Sequence, residues 1–111
     1  MNQSKFPEPI TKLPKADIPF KGCTAYLSQG KDHQIVFWEF SEEIDFPEHS
    51  HEAQWGVVIN GKIGILMEEE MRTFKKGDCY YIPAGVKHSG KIYAGYADVT
   101  FFAQKDRYKI K

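Results

Sequence analysis

The sequence predicts an all-β domain, a sandwich or closed barrel, behind an extended N-terminal arm. Three observations carry that expectation. Eight short runs of β-branched and aromatic residues are separated at short intervals by turn residues. No segment sustains a 3.6-residue apolar period beyond a turn or two. Several runs are apolar on both parities, as in Ile35-Val36-Phe37-Trp38-Glu39-Phe40 and Trp55–Ile59. A single layer would leave one face polar, so one face is expected to line an interior and the other to meet a second layer. For a chain of 111 residues, a homodimer is the simplest source of that layer, and a two-sheet monomer with the arm packed across it is the alternative.

The elements follow in order. Residues 1–15 read as the arm, with Pro7, Pro9 and Pro14 opposing helix, and residues 16–111 as the barrel domain. Strands are expected at Cys23–Ser28, Gln34–Phe40, Gln54–Asn60, Lys62–Met67, Met71–Phe74, Cys79–Ile82, Gly90–Tyr93 and Tyr96–Ala103. Asn60-Gly61 between two apolar runs is a hairpin signal, because a type I′ turn needs positive φ at both central residues. Glu68-Glu69-Glu70 reads as a solvated hairpin tip, and Lys105–Lys111 as a basic tail.

Composition excludes several function classes. Fifteen Lys plus Arg balance fifteen Asp plus Glu, so there is no basic field of the kind nucleic acid requires. No apolar run approaches membrane-spanning length and residues 1–20 hold no apolar signal core, so a cytoplasmic location is expected. Cys23 and Cys79 form no C-x-x-C pair and read as two buried, reduced thiols.

Three of the four histidines then stand out. His49 and His51, at i and i+2, would share a face of one strand, and His88 would bring a third imidazole from another. Imidazole is the commonest side-chain ligand of divalent first-row metals, and three neutral imidazoles buried together with no ion would be poorly satisfied. His33, beside Gly30-Lys31-Asp32, reads as a surface residue. Asp45, Glu48 and Glu52 read as solvated loop carboxylates or acceptors near such a site.

The stretch from His49 to His88 resembles the two motifs of the cupin superfamily, small jelly-roll β-barrels that hold a metal near one end. His49-Ser50-His51, Gln54 and Gly61 follow the first motif; Gly77, Pro83, Gly85 and His88 keep the spacing of the second. The 15 residues between Gly61 and Gly77 fit the short gap of small microbial cupins. The resemblance implies a cupin-like jelly-roll β-barrel and a metal set of His49, His51, Gln54 and His88. There are departures. Glu43 stands at the motif's leading glycine, Ile92 at its closing asparagine, and Gln54 replaces an acidic ligand after a shortened spacer. Glu52-Ala53 must therefore bulge or loop if Gln54 is to serve, and Glu52 or water is the alternative. Some cupins with a His/His/Gln/His set, including the sugar-linearising type of pectin degradation, use the amide.

With Gln54 in place of a carboxylate, a divalent ion keeps its full +2 charge and acts as a stronger Lewis acid. The expected function is metal-dependent chemistry, isomerase-like, on a small oxygen-rich molecule such as a keto sugar or oxo-acid. A quercetinase-like dioxygenase and a non-catalytic metabolite- or sugar-binding module are the alternatives. Nickel, zinc, iron, cobalt, copper and manganese all suit such a donor set to differing degrees. No residue identifies the proton-transfer group; Glu39 and Tyr81 are the candidates offered.

Overall fold

The computed structural model describes residues 4–111, so Met1 to Gln3 of the expected arm lie outside the described residues. Among the described residues, nine strands form two antiparallel sheets. They are β1 (Cys23–Gln29), β2 (Gln34–Phe40), β3 (Ile44–His49), β4 (Gln54–Asn60), β5 (Lys62–Met67), β6 (Glu70–Lys75), β7 (Cys79–Ile82), β8 (His88–Ile92) and β9 (Ala97–Phe102). One sheet has the order β1-β2-β9-β4-β7, the other β3-β8-β5-β6. The inner faces meet in an apolar core that includes Leu27, Val36, Val58, Ile63, Ile65, Ile82 and Tyr96. Among the described residues, no helix is long and apolar enough to cross a membrane.

Five expectations are corrected. The two cysteines are not both buried: Cys23 is half-buried and Cys79 is exposed. The strand that carries His49 runs over Ile44–His49, ends before His51 and is absent from the expected runs, because Pro47 interrupts it. Its place at the edge of the smaller sheet resolves the conflict, since an edge position needs no proline N–H for the ladder. Asn60-Gly61 does not close a hairpin: β4 and β5 belong to different sheets, and the link carries the chain from one to the other. Gly61 has positive φ (73°) but Asn60 does not; its Nδ2 donates to the Gly95 carbonyl at 2.7 Å. The two-residue turn with both φ values positive lies instead at Glu68 (54°) and Glu69 (65°), closing β5 onto β6 through the Met67–Glu70 pair.

The arm is not wholly extended either. Glu8–Thr11 makes one helical turn, α1, and Pro9 is tolerated there because first-turn N–H groups have no intrahelical partner. Phe6 is buried edge-on against Tyr26 and Phe37, and Ile10 and Leu13 join that cluster on the outer side of the larger sheet. Lastly, the basic C-terminal run is no loose tail. Tyr108 exchanges hydrogen bonds with the buried amide of Gln34, its N–H donating at 3.0 Å and its carbonyl accepting at 2.8 Å. Asp17 N–H donates to the Lys109 carbonyl at 2.7 Å, and Ile110 bridges to Ala16. Long-range pairing thus holds Arg107 and Tyr108 against the barrel.

Candidate metal centre

The three histidines reach one point from two strands and a loop. His49 ends β3 and pairs with His88, which opens β8, after a register shift between Phe46 and His49. His51 lies beyond the strand, so the i, i+2 rule does not place it. A loop of residues 51–53 does, tied down where Gly85 N–H donates to the His51 carbonyl at 2.9 Å. Ring centroids are 4.4 Å apart for His49–His88, 4.8 Å for His51–His88 and 5.2 Å for His49–His51. One ligand atom from each lies within 4.8 Å of the others, so the cluster can bind a metal ion. Among the described residues, Asp45, Glu48 and Glu52 are outside that group.

Tautomer follows from hydrogen bonding. Nδ1 of His49 lies 2.8 Å from the Pro47 carbonyl, Nδ1 of His51 2.7 Å from that of Glu52, and Nδ1 of His88 2.9 Å from that of Val86. A carbonyl oxygen only accepts, so every Nδ1 carries a proton, and the lone pair of a neutral ring is then left on Nε2. Burial pushes the His51 pKa down to about 4; the Glu52 hydrogen bond opposes this, while the charges of Arg107, His88 and His49 add to it. Burial also lowers the His88 pKa, with the His49 and Arg107 charges acting the same way. Neutral imidazoles with a shared tautomer are what a metal ion needs, and backbone acceptors on the far nitrogens fix the rings.

These residues line a cavity of about 270 Å³ between the sheets. Its walls are mostly apolar, with Trp38, Phe40, Ile63, Ile65 and Ile92 among them. His51 and Arg107 line both this cavity and the outer depression beside it, which marks the mouth. Arg107 stacks over Tyr108 at 4.5 Å, and its buried Nε has no hydrogen-bond partner among the described residues.

The cavity wall also holds a polar cluster. Asp98, 3% exposed, accepts from Tyr96 at 2.5 Å and Tyr80 at 3.0 Å on Oδ2, and from Thr100 at 2.9 Å on Oδ1. Burial raises its pKa to about 6, against the pull of those three hydroxyls. Gln54 lines the same cavity, and its Nε2 donates to the Tyr80 hydroxyl at 3.3 Å. Gly56 makes room for that phenol, since a Cβ there would sit 2.4 Å from Tyr80 Cζ.

The two proton-transfer candidates fall outside. Glu39 holds the arm, accepting from Ser4 Oγ and Lys5 N–H. Tyr81 points to the outer face, 56% exposed, while its neighbour Tyr80 turns inward. Arg107, Tyr80 and Asp98 were missed. Strand alternation beside Ile82 is the signal that could have selected Tyr80 over Tyr81.

The cupin domain model matches residues 36–101. No curated protein matches the chain. Solved structures with a similar fold include KdgF from a Halomonas species, with 21% identity and TM-score 0.68, covering 82% of this chain and 87% of that one. An RmlC-like cupin from Shewanella frigidimarina shares 16% identity at TM-score 0.72, covering 85% and 86%. A W96Y oxalate decarboxylase from Bacillus subtilis shares 19% identity at TM-score 0.72, covering 86% of this chain but only 28% of that larger protein. At such identities these neighbours speak to fold alone. With the family model spanning more than half of its length, the chain belongs to the cupin domain family.

Proposed function

We propose that the protein is a metal-dependent cupin acting on a small, oxygen-rich anion such as an oxo-acid, with His49, His51, His88 and Gln54 holding a divalent transition metal. The observation that carries this reading is the shared anchoring: three clustered rings, each tied through Nδ1 to a backbone carbonyl, leave Nε2 as the atom each can offer an ion. A bound ion would supply Lewis acidity toward a carbonyl or hydroxyl oxygen. Arg107 supports an anionic ligand, because its guanidinium lies at the mouth with an unpartnered Nε–H and adds positive charge beside the imidazoles. An amide at position 54 leaves that charge uncompensated, which a carboxylate on the ligand would balance.

Metal analysis of the purified protein and of His51→Ala, after loading with nickel, zinc, iron, cobalt, copper or manganese, tests the reading. One ion per wild-type chain and background levels in the variant are expected; no difference between the two overturns it. Catalysis is tested by following solvent-proton exchange beside the carbonyl of 2-oxo acids in loaded and metal-free protein.

The apolar walls favour a second reading, a dioxygenase whose substrate has an apolar body. Metal-dependent oxygen consumption would favour it over the first.

We also propose a homodimer through the outer face of the larger sheet; the reading is supported by Tyr81, Trp55 and Phe101, cross-strand neighbours that remain exposed. Light scattering on Trp55→Lys tests this: a dimer that becomes a monomer supports it, and an unchanged mass overturns it.

A further inference from the structure

The hydrogen-bond chain behind Gln54 has a direction. Asp98 carries three hydroxyl donors and, at neutral pH, a carboxylate that only accepts. Tyr80 has a single proton, and Asp98 takes it. The phenol oxygen can then only accept toward position 54, so the side chain there must donate. An amide does so through Nε2, leaving Oε1 as the atom available to an ion. A carboxylate has no proton to offer and would set its own lone pairs against the phenol oxygen. The backbone is shaped for this arrangement, because Gly56, directly opposite Tyr80 in the β4–β7 ladder, leaves the space that the phenol occupies.

We infer that Asp98 and Tyr80 are positioning residues that select an amide instead of a carboxylate at position 54, and so hold the ligand set neutral. The inference rests on the metal-centre reading above and adds a cause for its least expected member. Gln54 thereby becomes a consequence of a buried carboxylate two side chains away.

The test is metal affinity, measured by competition of zinc against a chromophoric chelator, with thermal melting as the check on folding. Tyr80→Phe removes the acceptor and is expected to weaken zinc binding about tenfold or more, the range typical when a ligand loses its orienting partner. Gln54→Glu alone is expected to bring no gain, despite the added negative charge, because two carboxylates then contend for one phenol proton. The same Gln54→Glu change is expected to tighten binding about tenfold in the Tyr80→Phe background, or in Asp98→Asn, where the new amide can donate and turn the phenol's proton toward position 54. A purely structural Tyr80 would give additive effects. Additivity, or unchanged affinity in Tyr80→Phe, overturns the inference while leaving the metal centre standing; a wild-type chain that binds no ion overturns both. If the variants fail to fold, wild-type NMR decides. The Gln54 side-chain amide protons should exchange slowly with solvent, and fast exchange overturns the inference.

Discussion

Two polar clusters face one cavity, and they differ in whether their hydrogen-bonding capacity is used. Around Asp98, three hydroxyls meet the carboxylate, and the Tyr80 oxygen is taken up by Gln54. At the mouth, three imidazoles keep bare Nε2 atoms and Arg107 keeps an unpartnered Nε–H. Buried polar groups that satisfy one another stabilise a fold, whereas convergent groups left unsatisfied create an environment that a ligand completes. The same barrel therefore holds a structural cluster and a binding cluster side by side, and their chemistry separates them.

The largest expected effect comes from filling the unsatisfied cluster. Metal at a thousandfold excess over its Kd should stabilise the wild-type chain by about 4 kcal/mol and leave His51→Ala unchanged, as read by melting with and without chelator. Emptying the satisfied cluster comes next. Asp98→Ala strands the Tyr80, Tyr96 and Thr100 hydroxyls and should cost about 3 kcal/mol in urea unfolding.

The clusters also differ in the sign of their pH dependence in metal-free protein. Between about pH 4 and 6 the unfolded chain has released the Asp98 proton while the folded chain still holds it, so this group's contribution falls as pH rises. His51 acts oppositely: the unfolded chain is protonated up to about pH 6.5 and the folded chain only up to about 4, so stability rises with pH through that window. Relative to wild type, Asp98→Asn should therefore gain stability toward neutral pH, by about 3 kcal/mol at most. A difference that does not change with pH would show that Asp98 titrates normally.

Smaller effects sharpen the boundary. Gly56→Ala forces a methyl against the Tyr80 ring and should cost about 2 kcal/mol. Arg107→Gln should leave melting unchanged but weaken binding of oxalate to metal-loaded protein about tenfold, read by calorimetry.

Much of this was legible in the sequence, for identifiable reasons. The histidine spacing survives because two elements paired at His49 and His88 carry it. Gln54 lines the same cavity as the histidines, yet its donor-acceptor partner was not legible, since Tyr80 and Tyr81 are equally plausible where both faces of a strand are apolar or aromatic. Asp98 and Thr100 look like outward polar residues of β9; they face inward because the register of β2 and β4 with that strand decides parity. Pro47 concealed an edge strand, and Asn60-Gly61 suggested a hairpin that sheet assignment forbids. Arg107 was hidden most deeply. It lies in a basic stretch whose position depends on distant contacts with Gln34 and Asp17.

The turn at Glu68 and Glu69 bears on experimental access to all of this. Two non-glycine residues at positive φ store local strain of about 1 kcal/mol each. Glu68→Asn with Glu69→Gly should relieve most of it, since those residues adopt that backbone freely. The turn's residues lie outside the histidine cavity. A chain repaired there would recover about half of what the loss of Asp98 costs, so the costliest cavity substitution would be milder in the repaired protein.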